Sequence, residues 1–193
     1  MKILGCLPVL VPMVLLISRV NSYILYCSSD HDRCCDRLFI NTPNSVPGVT
    51  VTASSSYVNP NHPSHNHGPD RAELFEVSNY NLPGGGTSGW AAARSDANQW
   101  IQVDFGHRFY KVNGILLQGR GGCCDQWVTS FRMLFSNDAE VFYSTEVIEG
   151  TFDRNTVSRR YFDRTIVARY VRFVPVTWHG HITVRFDLLG CRA

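Results

Sequence analysis

Apolar residues recur at every second position in several separate stretches of this chain. Ile101, Val103 and Phe105 alternate with Gln102 and Asp104; Tyr170, Arg172 and Val174 alternate with Val171 and Phe173; Ile182, Val184, Phe186 and Leu188 alternate with Thr183, Arg185 and Asp187. Period two places successive side chains on opposite faces of an extended backbone, so these stretches are predicted to be strands with one buried face. Further strands are predicted at 49–53, 112–118, 129–136 and 141–144. Between them lie turn-rich runs, NPNHPSHNHGPD, NYNLPGGGTSG, GRGGCCDQ and SNDAE, whose Gly, Pro, Asn and Asp favour chain reversal. Many short strands without a long helix predict an all-β antiparallel sandwich or barrel.

The first residues, MKILGCLPVLVPMVLLISRVNS, join Lys2 to an apolar run from Ile3 to Ile17 and end in small and polar residues. That layout is expected of a secretory signal peptide over 1–22, since Pro8, Pro12 and Arg19 interrupt a run too short to span a bilayer. Cleavage after Ser22 would leave 193 − 22 = 171 residues, enough for one domain with a substantial core. It would also remove Lys2 and Arg19, taking the charge from 18 and 16 to 16 − 16 = 0. A balanced charge gives no indication of nucleic-acid binding. Lys111 is then the one lysine beside fifteen arginines, most of which are expected in surface strand pairs.

Loss of Cys6 leaves Cys27, Cys34, Cys35, Cys123, Cys124 and Cys191. An even number in a secreted chain reads as a disulfide framework. Zinc is disfavoured because there is no CxxC pair and two of the cysteine sites are adjacent doublets. No Asn-x-Ser/Thr sequon is present.

The segments VTVTASSSY (49–57), GWAAARSDANQWIQVDFG (89–106), VNGILLQGR (112–120), WVTSFRMLFSND (127–138) and ARYVRFVPVTWHGHITVRFDLLGC (168–191) resemble, in the same order, those of discoidin domains. These are also called coagulation factor V/VIII type C domains. The similarity runs from about Cys35 to Cys191, and the GILLQGR and TWHGHITVRFDLLGC segments most resemble the retinoschisin branch. The resemblance implies an eight-stranded antiparallel jelly-roll β-sandwich, galactose-binding-domain-like, over 35–191, preceded by a short segment over 23–34. It also implies a disulfide between Cys35 and Cys191, leaving Cys27 and Cys34 to close a small N-terminal loop or to tie two chains. Ligands of such domains, among them glycans, anionic phospholipid headgroups, collagen and protein termini, bind loops at one end of the sandwich.

Those loops supply the candidate residues. Tyr57 stands where the family often places a ligand-contacting aromatic. Asn59-Pro60-Asn61-His62 follows where relatives carry a large apolar residue, a departure that counts against membrane docking. His62, His65 and His67 read first as a solvated polar loop, with a metal or pH-sensing role as the sharper alternative; no metal is assigned. The second loop offers Tyr80 and Gly84-Gly85-Gly86, where glycine permits close backbone approach. Trp90 and Trp100 read as core, whereas Trp178 and His179 read equally as simple packing or as an aromatic face beside an imidazole suited to a sugar ring.

Between Arg120 and Trp127 lies the doublet Cys123-Cys124. In this fold the chain-end cysteines lie at the opposite pole, so the doublet is expected to pair with itself, with a link between chains as the rival. The loop also resembles that of F-type, fucose-binding lectins, where an adjacent cysteine pair forms an apolar plate under the sugar. Arg120 and the doublet match that pattern. Gly122 and Trp127 replace its aspartate and second arginine, so fucose specificity does not carry over. Arg120 remains suited to holding two hydroxyls.

No catalytic constellation is present: no GxSxG, HExxH or phosphate-cradling glycine loop. The expectation is a secreted, extracellular adhesion protein that is not an enzyme, has no cofactor, and binds a glycan or glycoprotein. The ligand contacts would come from Tyr57, Tyr80, Arg120, Cys123, Cys124, Trp127, Trp178 and His179. Peripheral binding of anionic phospholipid is the alternative, as is a homo-oligomeric assembler contacting cells or matrix protein.

Overall fold

A computed structural model describes residues 36–41, 46–81 and 85–193. The predicted leader at 1–22, the segment 23–34, and Cys6, Cys27, Cys34 and Cys35 lie outside the described residues. Eleven strands form among those described: β1 Asp36–Arg37, β2 Thr50–Ala53, β3 Trp90–Ala91, β4 Ile101–Asp104, β5 Tyr110–Gln118, β6 Trp127–Ser136, β7 Tyr143–Ser144, β8 Ile148–Glu149, β9 Ser158–Ala168, β10 Tyr170–His179 and β11 Thr183–Arg192. A 3-10 turn covers Pro69–Arg71.

The strands build two antiparallel sheets. One runs β1-β11-β5-β9 with β3 paired to β11; the other runs β2-β4-β10-β6-β7 with β8 paired to β6. Their inner faces enclose Trp90, Ile101, Phe105, Ile115, Leu117, Phe131, Met133, Phe173, Ile182, Phe186 and Leu188. Burial of each large apolar side chain contributes about 1.5 to 3 kcal/mol, and β4, β10 and β11, where alternation is predicted, supply Ile101, Phe173, Phe186 and Leu188.

Three expectations differ from the structure. The described residues form eleven strands rather than eight, and four of them, β1, β3, β7 and β8, are two-residue pairings too short to carry a periodic signal. Of the strand predicted at 141–144, Tyr143–Ser144 alone pairs. The eleven-residue β9 was not predicted. It joins β5 through a register shift between Val112 and Gly114, and a bulge of this kind breaks the period-two pattern.

The outer face of β11 is buried as well, and Arg185 is an exception among arginines that are mostly exposed or half-buried. Arg185 is 4% exposed, and its guanidinium donates to the carbonyls of Gly119, Glu76 and Arg154 at 2.8, 2.9 and 2.7 Å. Burial lowers its pKa to about 10, which leaves it charged at neutral pH. Asp187, pushed up by burial, accepts from Arg37 Nε at 2.8 Å and from the Phe39 and Ile40 amides. Asp187 thus fastens the segment after β1, and Arg185 fastens the bases of three loops. Leu74, Leu116 and Leu189 form a smaller apolar cluster on the same side.

Strand direction places the loops. β5 ends and β6 begins at one pole, where the segments 54–68, 78–81, 85–89, 119–126 and 179–182 meet. Cys191 pairs with Lys111 near the start of β5, at the other pole. It is disulfide-bonded. Trp90 is fully buried and donates to the Ser55 carbonyl at 2.8 Å. Trp100 is half-buried under the Arg172 guanidinium, 4.3 Å from its ring.

Candidate binding cleft at the loop pole

The first loop is shaped by its own turns. The His62 amide donates to the Asn59 carbonyl at 3.1 Å and the His65 amide to that of His62 at 3.0 Å, which stacks the two imidazoles 4.7 Å apart at 9°. The loop is tied to β3 by the Tyr57 amide, donating to the Ala91 carbonyl at 2.8 Å, and by the Ala91 amide, donating to that of His67. It meets the second loop where Asn66 bridges Gly86. A Cβ at Gly86 would collide with the Asn66 carbonyl, so close approach of the two loops requires glycine there.

The third loop closes on itself and on the second. The Arg120 amide donates to the Gln126 carbonyl at 2.9 Å, and the Gly121 amide to that of Ser88 at 3.3 Å. Arg154 donates to the Gly122 carbonyl at 3.1 Å and pairs with Asp125 at 3.4 Å. Gly122 and Cys124 both have positive φ, +79° and +67°. The second is a conformation that costs a non-glycine residue on the order of 1 kcal/mol or more.

Together the loops enclose a cleft of about 530 Å³ lined by Tyr57, Asn59, His62, His65, His67, Tyr80, Ala91, Arg120, Cys123, Cys124, Gln126 and His181, a size typical of small-ligand pockets. Arg120 holds its centre. It is 9% exposed, and its guanidinium donates to Gln126 Oε1 at 2.7 Å and to the Tyr80 hydroxyl at 3.0 Å. Tyr80 lies against His65, ring centroids 4.6 Å apart. Tyr57 meets His67 and His181 edge-on at 5.2 and 5.9 Å.

The imidazoles differ in role. His181 Nε2 lies 2.7 Å from the Ala92 carbonyl, and Nδ1 lies 2.9 Å from Ser95 Oγ, which itself accepts from the Ile182 amide. This network assigns the His181 proton to Nε2. His67 is 3% exposed, and neither ring nitrogen has a hydrogen-bond partner. Burial first, and then the Arg120 charge, lower its pKa to about 4.

Five of the eight residues expected at the ligand therefore converge: Tyr57, Tyr80, Arg120, Cys123 and Cys124. Trp127 and His179 do not line the cleft; they face each other across β6 and β10 and stack at 4.1 Å and 13°. Trp178 is also outside it, half-buried and packed on the core, because the register shifts of β10 between Pro175 and Trp178 reverse the facing that the alternation of Val171, Phe173 and Pro175 would give it. Cys123 and Cys124 are two exposed thiols, not the bonded pair expected from the sequence, and closing their eight-membered ring would add strain to a loop already bent at Cys124. Burial and a hydrogen bond from Cys123 push the Cys124 thiol upward.

Sequence reasoning passed over Asn59, Gln126 and His181, and read His62, His65 and His67 as a polar loop. His181 had a signal, standing two residues from His179 in the last loop. His67 had none, since its burial depends on Tyr57 and on strand β3. Among the described residues, no three His, Cys, Asp or Glu side chains are placed to hold one metal ion.

A two-sheet sandwich with a pocket formed by loops at one pole defines a binding domain. The chain belongs to the F5/8 type C domain family, whose model matches residues 50–188. Lactadherin of Rattus norvegicus is 34% identical over 155 residues, covering 77% of this chain and 34% of that protein. The human EGF-like repeat and discoidin I-like domain-containing protein 3 is also 34% identical over 155 residues, covering 76% and 31%. The chain thus spans about a third of the length of these curated relatives. Discoidin II from Dictyostelium discoideum superposes with a TM-score of 0.64 at 26% identity, over 74% of this chain and 54% of that structure.

Proposed function

We propose that this protein is a secreted extracellular adhesion module that binds carbohydrate in the loop-pole cleft. The observation carrying this reading is the convergence of Arg120, the Tyr80 hydroxyl, Gln126 and a stack of imidazole and phenol rings in one concave site. Such a site offers what a sugar needs: directional donors and acceptors for hydroxyls, and flat faces for the apolar side of the ring. The cleft contains no nucleophile paired with a base, in keeping with binding rather than catalysis.

Peripheral phospholipid binding is the second reading, favoured by Val58 and Val77, which are 64% and 69% exposed beside Tyr57 and Tyr80 in sequence. Two valines contribute little area for insertion beside a largely polar loop. A glycan array run beside a sedimentation assay on phosphatidylserine vesicles separates the readings. Sugar binding without vesicle binding is expected. Vesicle binding alone would overturn the carbohydrate reading.

A further inference from the structure

We propose that the ligand of this cleft bears a carboxylate or sulfate, as an acidic sugar does, and that this group serves as counter-ion to Arg120. The inference rests on the carbohydrate reading and narrows it.

Arg120 differs from the other enclosed arginines in its surroundings; Arg172, which also meets no carboxylate, donates to Gln102 Oε1 at 3.0 Å and lies over the Trp100 and Phe142 rings. Arg37 pairs with Asp187 at 2.8 Å, Arg71 with Glu76 at 2.7 Å and Arg169 with Asp104 at 3.0 Å, while Arg185 meets three carbonyls through three separate donor atoms. Arg120 has two acceptors, an amide oxygen and a phenol, both neutral. Its Nε has no hydrogen-bond partner, and among the described residues no carboxylate pairs with it. An enclosed cation without a counter-charge is a costly arrangement, and it is retained here at the centre of a cleft.

Nothing else in the cleft supplies the missing charge. Its lining contains no Asp or Glu. The nearby carboxylates are engaged: Asp125 with Arg154, Glu76 with Arg71, and Asp70 with the Asn66 amide. Burial keeps the Cys124 thiol protonated, so a thiolate does not neutralise Arg120. His67 is buried with both ring nitrogens unpartnered and adds no negative charge. The cleft is therefore electropositive, with no anionic side chain in its lining. Its stacked ring surfaces suit a saccharide better than the small polar headgroup of a lipid.

The test uses matched probes on the full secreted chain: sialyllactose against lactose, glucuronic acid against its methyl ester, and a sulfated hexosamine against its unsulfated form. Phosphatidylcholine vesicles with and without phosphatidylserine complete the set. The acidic member of at least one sugar pair should bind about tenfold tighter or more, as expected of a charge-assisted contact, and added salt should weaken it. Arg120→Gln should abolish that preference in the folded fraction, and Arg120→Lys should keep part of it. The wild-type pairs remain decisive should either variant fail to fold. Equal affinity for acidic and neutral members would overturn the counter-ion and leave the carbohydrate reading standing. Binding to phosphatidylserine vesicles with no sugar binding, or binding to no probe, would overturn both.

Discussion

Arg120 donates to the hydroxyl of Tyr80 at 3.0 Å, a side-chain bond that adds to the backbone link between Gly121 and Ser88 in joining the third loop to the second. Tyr80→Phe removes one of the two neutral acceptors that Arg120 has. The loss should cost about 1 to 2 kcal/mol of stability and loosen the guanidinium, weakening ligand binding severalfold. Thermal melts and titration with the best array ligand check both effects; an unchanged affinity would show that this bond does not position Arg120.

Tyr57 and Trp178 should respond in opposite ways. Tyr57 lines the cleft, so Tyr57→Ala should weaken ligand binding by about 1 to 3 kcal/mol. Trp178 packs on the core, so Trp178→Ala should lower stability by roughly 2 to 4 kcal/mol and leave the affinity of the folded fraction unchanged. Calorimetry on both variants tests the assignment, and the reverse outcome would move the site toward the end of β10.

His67 gives the domain a specific pH dependence. Its folded pKa of about 4 lies below the ordinary 6.5, so the unfolded chain binds its proton first as the pH falls. Stability from this group is complete above about pH 6.5, declines toward pH 4 and levels off below that, with a total change on the order of 3 kcal/mol. His67→Phe should flatten the difference between melts at pH 7 and pH 4.5. Profiles of identical slope would remove the assignment.

Cys191 is disulfide-bonded, and we propose Cys35 as its partner. β1 pairs antiparallel with β11 in the register Asp36 to Gly190 and Arg37 to Leu189, and extending it by one residue sets Cys35 opposite Cys191. Closing so long a loop contributes about 4 to 5 kcal/mol on the loop-entropy model. Nonreducing peptide mapping should recover the two cysteines in one linked pair. Recovery of Cys191 linked to Cys27 or Cys34 would refute the proposal.

Cys123 and Cys124 are exposed thiols in the cleft wall. A trivalent arsenical, which bridges neighbouring thiols, should therefore bind one equivalent per chain and block sugar binding. Full ligand affinity in the arsenical adduct would place the ligand away from the doublet.

Much of the fold was legible because burial in a half-exposed strand writes itself into period two: β4 and β10, and the inward side chains of β11, follow from residue order alone. β9 was not, since its bulge shifts alternation midway. The buried outer face of β11 was not either, since covering it takes β1 and the segment around Leu74, which are distant in sequence. The ordered motifs also placed Tyr57, Tyr80, Arg120 and the cysteine doublet at one pole. What tertiary structure alone decided is which polar side chains there lose water: His67 and Arg120 have no local mark of burial, Trp178 turns to the core while His179 pairs with Trp127, and the missing counter-charge of Arg120 is visible only once every nearby carboxylate has found its own arginine or amide. Local sequence specifies the direction of a side chain along a strand, whereas solvation and charge pairing depend on neighbours that folding brings from elsewhere in the chain.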